Sequence, residues 1–307
     1  VRVVFAGTPD VAAMSLRAVL DSQHEVIAVL TRPDAPAGRG RHEVRSAVGV
    51  LAAERGIELL VPVSAKDPEL LARMRSLAPD CAPVVAYGGL IPSDLLDVPR
   101  WGWVNVHFSL LPAWRGAAPV QHAIKHGDDI TGVTTFRLDA GMDTGPVYGT
   151  ATQHIRDTDT SGELMQRLGV VGARLLVDTL DALEAGTLRA TPQVGSASLA
   201  PKVSVDDARI TWSASAVTID RHIRSCTPEP GAWTMLGDER LRLGPAAVVS
   251  DAPAMTPGGI TVTKHEVLIG TATSPMRLST VQAPGKKAMT AADWARGARL
   301  DSLAVLS

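Results

Sequence analysis

Five short apolar runs recur through the first 107 residues, at Val1 to Ala6, Glu25 to Thr31, Ile57 to Val63, Cys81 to Ala86 and Trp103 to His107. Helix-patterned stretches lie between them, through Leu20 after the first run, near Val44 to Arg55 after the second and at Asp67 to Leu77 after the third. Strands that alternate with helices in this way build βαβ units, so the sequence predicts an α/β fold with a Rossmann-like, doubly wound, mostly parallel sheet. Open sheets of this kind bind ligands outside the carboxyl ends of their strands. The first such end, Gly7-Thr8-Pro9-Asp10, lacks a Gly-x-Gly-x-x-Gly fingerprint, which argues against a nicotinamide oxidoreductase.

The chemistry concentrates between Trp101 and Tyr148. Period-two alternation in Trp103 to His107 sets Asn105 and His107 on one face of the strand and Val104 and Val106 on the other. Pro112 lacks a donor and restricts Leu111, so Ser109-Leu110-Leu111-Pro112 leaves the sheet just beyond that pair. A second strand is expected at Val133 to Leu138, followed by Asp139-Ala140-Gly141-Met142-Asp143-Thr144-Gly145-Pro146. If the two strand ends are neighbours, an amide, an imidazole and a carboxylate converge. Such a set suits acyl chemistry, with Asn stabilising an oxyanion, His handling protons and Asp orienting the His. Asp139 and Asp143 compete for the carboxylate role, and the residues alone do not choose. No Gly-x-Ser-x-Gly elbow occurs and neither cysteine is near, so the nucleophile is expected from a substrate.

Asn105-Val106-His107, Ser109-Leu110-Leu111-Pro112, Trp114-Arg115-Gly116-Ala117-Ala118-Pro119 and Asp143-Thr144-Gly145 together resemble the signature of the 10-formyltetrahydrofolate-dependent formyltransferases. The resemblance implies Asn105, His107 and Asp143 as the catalytic set and 10-formyltetrahydrofolate as the formyl donor. It implies the α-amine of charged initiator methionyl-tRNA as acceptor, in support of translation initiation. Relatives that formylate a sugar or nucleotide amine, or hydrolyse the folate, form the alternative within the class. A non-catalytic RNA-binding protein on the same scaffold is the alternative outside it. Tyr87-Gly88-Gly89-Leu90-Ile91-Pro92, at another strand end, is a turn by its residues; the resemblance makes Tyr87, Gly88, Gly89, Leu90 and Ile91 part of a folate pocket. Ser109, Leu110, Leu111, Pro112, Asp139 and Gly141 are expected to complete it.

Residues 32–45 hold four arginines against two acids and are too rich in Pro and Gly for regular structure. On charge alone this is a solvated loop or an arm that meets phosphates. The family carries a similar Pro-Ala-Gly-Arg-Gly loop that reaches the tRNA acceptor end, which makes Arg39, Arg41 and Arg45 candidate contacts. There the family usually continues with Ser-Pro-Val-Lys; this chain has Arg45-Ser46-Ala47-Val48-Gly49. Arg115 reads either as a loop-fixing donor or as an anion contact. His122 and His126 share a helix face without a further ligand, so no metal site is expected.

Gly186 to Lys202 is polar with Pro192, Gly195 and Pro201, and reads as a linker. Short apolar segments between Thr234 and Gln282 then predict a small β-barrel; the family has an OB-like barrel here that lies along tRNA. Lys286 and Lys287, in Pro284-Gly285-Lys286-Lys287, are its candidate RNA contacts. The expected division is 1–189 for the catalytic domain, 190–205 for the linker and 206–307 for the OB-like tRNA-binding domain. A formal net charge of −2 gives no overall nucleic-acid signature, so RNA binding would rest on local patches. Cys81 and Cys226 are expected as buried free thiols, which fits a reducing cytoplasm. The opening strand does not resemble a secretory leader and no apolar run approaches the roughly 20 residues that span a bilayer. A cytoplasmic monomer without membrane contact is expected.

Overall fold

The computed structural model describes residues 1–37, 42–298 and 304–307. From the amino end its elements are β1 (Arg2–Gly7), α1 (Asp10–Leu20), β2 (Glu25–Leu30), β3 (Ala35–Ala37), β4 (His42–Val44), α2 (Ala47–Glu54), β5 (Leu59–Leu60) and α3 (Pro68–Leu77). Next come β6 (Ala82–Val85), α4 (Ser93–Leu96), β7 (Trp103–His107), α5 (Pro119–His126), β8 (Ile130–Arg137), β9 (Val147–His154) and α6 (Ser161–Glu184). After a single 3-10 turn follow α7 (Ala216–Ser225), β10 (Trp233–Leu236), β11 (Glu239–Leu243), β12 (Ala246–Val248), β13 (Ile260–Val262), β14 (Val267–Ile269), β15 (Met276–Leu278), β16 (Thr280–Gln282), β17 (Met289–Thr290) and α8 (Ala291–Ala298). They form two compact units: residues 1–116, 130–154 and 165–199, and residues 117–129, 155–164 and 200–307.

The first unit is a seven-stranded sheet in the order β5-β2-β1-β6-β7-β8-β9. β5, β2, β1, β6 and β7 are parallel, while β8 and β9 are antiparallel additions at one edge. Strand order reverses between β1 and β6, whose carboxyl ends are joined by the Thr8 hydroxyl donating to the Tyr87 carbonyl at 2.9 Å. Val4, Ala6, Ala28, Leu30, Val84 and Trp103 are buried together in the core beneath these strand ends. The Trp103 indole N–H, taken out of water by that packing, donates to the Leu95 carbonyl at 2.8 Å.

Helix starts follow their local chemistry. Asp67 accepts the Glu69 N–H at 2.9 Å with Pro68 in the first helical turn of α3. Thr160 and Glu163 form a reciprocal capping box at the start of α6, which runs to Glu184. Two expectations need correction. Residues 32–45 are not without regular structure: β3 and β4 pair antiparallel from Ala35 opposite Val44 to Ala37 opposite His42. The run Ile57 to Val63 contributes only Leu59 and Leu60 to the sheet; Pro62 ends it, and Val61 and Val63 are exposed.

In the second unit, where a small barrel is expected, there are two four-stranded antiparallel sheets, β10-β11-β16-β17 and β12-β15-β14-β13. The single apolar run Met276 to Gln282 serves both, because the chain leaves one sheet at Leu278 and enters the other at Thr280. Trp212, Ile219, Ile223, Leu241, Ile269, Met276 and Trp294 fill the core of this unit. Helix α8 was not expected. Its start carries a Thr290-to-Asp293 capping signature, each side chain or backbone N–H answering the other.

The stretch expected as a linker falls in two parts. Up to Leu199 it belongs to the first unit: Thr191 exchanges backbone bonds with Val147 at 2.7 and 2.9 Å, and the Ser198 carbonyl accepts the Arg115 N–H at 2.9 Å. From Ala200 it belongs to the second.

Candidate active site

β7 carries the expected pair. Asn105 sits mid-strand opposite Phe136 of β8, and His107 ends the strand opposite Thr134. Among the described residues the Asn105 carboxamide has no hydrogen-bond partner, so its donor and acceptor are available to a ligand. His107 is 6% exposed. Its Nε2 lies 2.9 Å from the Trp114 carbonyl, which can only accept, so Nε2 carries a proton. The ring meets Phe136 edge-on with centroids 6.3 Å apart.

The Asp143 carboxylate reaches this imidazole by a route the sequence does not suggest. β8 runs antiparallel to β7, so its end lies beside the start of β7, with the Leu138 N–H donating to the Trp103 carbonyl at 2.9 Å. The two strand ends are therefore not neighbours. The loop after β8 doubles back: Asp139 Oδ1 accepts the Gly141 N–H at 3.0 Å and the Thr144 hydroxyl at 2.7 Å, closing a tight turn. Gly145 then passes so near β8 that a Cβ there would sit 1.7 Å from the Arg137 carbonyl oxygen. Within this turn Asp143 adopts φ of +54°, and its Oδ2 stands 3.7 Å from His107 Nδ1 while accepting the Gly116 N–H at 2.7 Å. Geometry thus separates the two aspartates: Asp143 faces the imidazole and Asp139 shapes the loop.

Trp114, on the other side of His107, is also left-handed, at φ of +60°. For a bulky side chain this backbone costs on the order of 1–3 kcal/mol and persists only when its surroundings hold it. Here the Ser198 hydroxyl accepts the Trp114 N–H at 2.8 Å, which fixes the carbonyl that binds His107.

Burial lowers the His107 pKa below its ordinary value, opposed by the Asp143 charge and by the Trp114 carbonyl. A neutral imidazole with its proton on Nε2 leaves the Nδ1 lone pair facing a carboxylate. A proton arriving at Nδ1 would meet the favourable Asp143 charge, which opposes part of the cost of burying the cation. The thiols offer no competing nucleophile: both are buried and free, and burial pushes the Cys81 pKa up to about 12.

The other candidate residues divide. Ser109 is fully buried and its hydroxyl donates to the Ala113 carbonyl at 2.5 Å, while Thr134 ties the same turn by donating to the Ser109 carbonyl at 2.7 Å. Leu111 and Pro112 are buried, Leu110 half-buried, and Asp139 and Gly141 exposed. Leu90 is 90% exposed. Tyr87, Gly88, Gly89 and Leu90 line a cavity of about 690 Å³ with Thr8, Arg32, Ser46, Ser64 and Lys66. That cavity covers the carboxyl ends of β5, β2, β1 and β6, and it includes neither Asn105, His107 nor Asp143. Arg45 is exposed, with Nε 3.7 Å from Asp34 Oδ2; Arg39 and Arg41 lie outside the described residues. Lys286 and Lys287 are exposed in the turn between β16 and β17, where the Lys286 N–H donates to the Ala283 carbonyl at 3.1 Å.

Arg115 is a loop-fixing donor, its guanidinium bonded to Gln193 Oε1 at 2.6 and 3.1 Å. Gln193 and Ser198 were not singled out from the sequence, because no motif marks a residue whose partners lie 48 to 84 positions away. His122 Nε2 lies 3.0 Å from the Pro201 carbonyl, and the His122 and His126 rings stack with centroids 5.8 Å apart. Among the described residues one group, His24, Asp181 and Glu184, brings three possible ligand atoms together, yet both carboxylates already accept from the Gln23 amide.

A doubly wound sheet with an Asn-x-His strand end and a carboxylate folded back onto it is the architecture of a transferase for one-carbon acyl groups, and the chain belongs to the formyl transferase family. The family's formyl transferase region matches residues 1–180 and its C-terminal domain matches residues 202–299. More particularly, the chain is 56% identical over 307 residues to the methionyl-tRNA formyltransferase of Salinispora tropica, covering 100% of both chains. Among solved structures, the methionyl-tRNA formyltransferase from Clostridium thermocellum aligns with a TM-score of 0.58 at 16% identity, over 82% of this chain and 95% of that one. The N-formyltransferase from Helicobacter canadensis, in complex with folinic acid and dTDP-3-aminofucose, aligns with a TM-score of 0.68 at 16% identity, over 92% and 98%.

Proposed function

We propose that this protein transfers the formyl group of 10-formyltetrahydrofolate to the α-amine of initiator methionyl-tRNA, with Asn105, His107 and Asp143 as the reacting set. The observation that carries the reading is the approach of Asp143 to His107 at the end of β7, in a chain that matches a methionyl-tRNA formyltransferase at 56% identity from end to end. The likeness to a sugar-bound N-formyltransferase extends to fold alone at 16% identity and does not select the acceptor.

In this mechanism the neutral α-amine, whose ordinary pKa is about 7.7 to 8.0, attacks the formyl carbon. A new C–N bond forms and the carbonyl electrons move onto oxygen. The Asn105 amide donates to that oxyanion, and the desolvated site strengthens the bond. The amine proton passes, directly or through water, to the Asp143–His107 pair, where the carboxylate stabilises the imidazolium. Collapse breaks the bond from the formyl carbon to N10 of the folate, and the pair returns the proton to the leaving nitrogen. The products are formylmethionyl-tRNA and tetrahydrofolate.

The folate is proposed to lie against Tyr87 to Ile91 and the Leu110 to Pro112 turn, with Asp139 and Gly141 shaping the opposite wall. Arg39, Arg41 and Arg45 of the first unit and Lys286 and Lys287 of the second are the proposed phosphate contacts. The division into a catalytic domain and an OB-like RNA-binding domain, action as a monomer, and a place in the cytoplasm without membrane contact complete the proposal. Among the described residues no helix is long and apolar enough to cross a membrane.

The test is formyl transfer from 10-formyltetrahydrofolate to charged initiator Met-tRNA, run beside free methionine and beside no acceptor. Product on the charged tRNA alone supports the reading. Folate turnover without tRNA formylation would replace it with the hydrolase or small-amine alternative.

A further inference from the structure

Residues 191–198 fall in neither matched family region and form no helix or strand. They are nevertheless pinned at both ends, by Thr191 on Val147 and by Ser198 on Trp114 and Arg115. Between the pins stands Gln193. Its Oε1 accepts two bonds from the Arg115 guanidinium, and its Nε2 donates to the carbonyls of Asp143 at 2.8 Å and Gly145 at 2.9 Å. Together these bonds fix the amide's orientation. A flipped amide would set oxygen against two carbonyls and N–H groups against a guanidinium that has no acceptor.

The two carbonyls are those on either side of Thr144, at the point where the loop turns onto His107. Asp143 is left-handed there, so its backbone orientation decides where the carboxylate goes. A nearby donor also satisfies each carbonyl that the fold-back takes from water. Gln193 therefore ties the loop bearing the carboxylate to the turn that supplies Gly116, the carboxylate's own donor.

We propose that Gln193 is a positioning residue for formyl transfer, anchoring the backbone of Asp143 to Arg115 so that the carboxylate stays between the Gly116 N–H and the His107 imidazole. The inference rests on the function proposed for Asp143. A Gln side chain alone meets the need, because it must accept from a cation at one end and donate to two carbonyls at the other. Gln193→Glu keeps the bond to Arg115 and loses both donations; Gln193→Met loses everything at nearly constant volume.

The experiment measures kcat and both KM values for the wild type, Gln193→Met and Gln193→Glu, each also in an Asp143→Ala background, together with hydrogen exchange at the Gly116 amide. Both variants are expected to lose kcat by on the order of 10 to 100-fold, as supporting partners of reacting groups do, with unchanged KM values. The loss should vanish when Asp143 is already Ala, since coupling of this kind marks residues that act through one another. Gly116 exchange should quicken in both variants. A full rate in Gln193→Met, or a loss that persists undiminished beside Asp143→Ala, would overturn the role. A wild type that formylates no tRNA defeats the proposed function and this role together, whereas an active wild type with an equally active Gln193→Met defeats this role alone.

Discussion

The Gly116 N–H donates to Asp143 Oδ2 at 2.7 Å, and this bond holds the carboxylate over an imidazole that is three strand pairings away from the end of β8. Asp139 has no such partner and spends its Oδ1 inside its own turn. Exchange of each aspartate for asparagine is therefore a matched pair. Asp143→Asn keeps an acceptor for Gly116 but loses the charge that favours an imidazolium, and kcat is expected to fall by on the order of 100 to 10,000-fold, the usual share of general acid–base catalysis. Asp139→Asn keeps the oxygen that the Gly141 N–H and the Thr144 hydroxyl require, so it should turn over near the wild-type rate. Steady-state formyl transfer at saturating substrates distinguishes them, and equal losses would refute the assignment.

The His107 imidazole is expected to titrate below the ordinary histidine value of about 6.5, because burial disfavours its cation more than Asp143 favours it. In Asp143→Asn the favourable charge is gone, so the midpoint should move further down. The sign for stability follows: with the folded pKa depressed, this group's contribution is present above about pH 6.5 and is lost as pH falls through the folded pKa. NMR titration of the imidazole resonances, assigned with His107→Asn, reads both midpoints. An upward shift on removing the carboxylate would contradict the electrostatic account.

Asn105 presents the opposite situation, a polar side chain without a partner among the described residues on a strand that is otherwise packed. Removing it takes nothing from the fold that the structure shows. Asn105→Ala is expected to keep its thermal midpoint and to lose on the order of 100 to 1,000-fold in kcat, as loss of one oxyanion donor does. A calorimetric scan beside the rate measurement separates the two effects; unchanged turnover would remove Asn105 from the mechanism.

The positions of Asn105 and His107 were legible because period-two alternation is a local property of the strand. The proximity of Asp143 was legible only as a condition, since the antiparallel turn of β8 depends on partners the local pattern does not encode. The condition of neighbouring strand ends does not hold, and the set converges instead because Gly145 can pass close to the Arg137 carbonyl. Gln193 was illegible for the same reason: a glutamine in a Pro- and Gly-containing stretch acquires meaning only from Arg115, Asp143 and Gly145, which the fold brings to it. The pairing of β3 with β4 is not legible because three-residue strands leave almost no period to read, whereas the capping signature that begins α8 is present in the sequence.

The arginines beyond β3 supply the last prediction. Arg39 and Arg41 lie outside the described residues, and Arg45 is only loosely paired, at 3.7 Å from Asp34, where solvent screens the attraction. With a formal net charge of −2, the protein as a whole does not attract RNA, so any phosphate contact must be local. Arg39→Ala and Arg41→Ala are each expected to raise KM for Met-tRNA while leaving KM for the folate unchanged. Removing an arginine that meets a phosphate should also lower the slope of log affinity against log salt by about 0.7 to 0.9. Measuring tRNA binding between low and moderate salt for the wild type and the two variants tests this directly. A variant with wild-type affinity and slope would show its arginine to be a solvated surface residue, and loss of affinity without a change in slope would place its effect elsewhere than in charge.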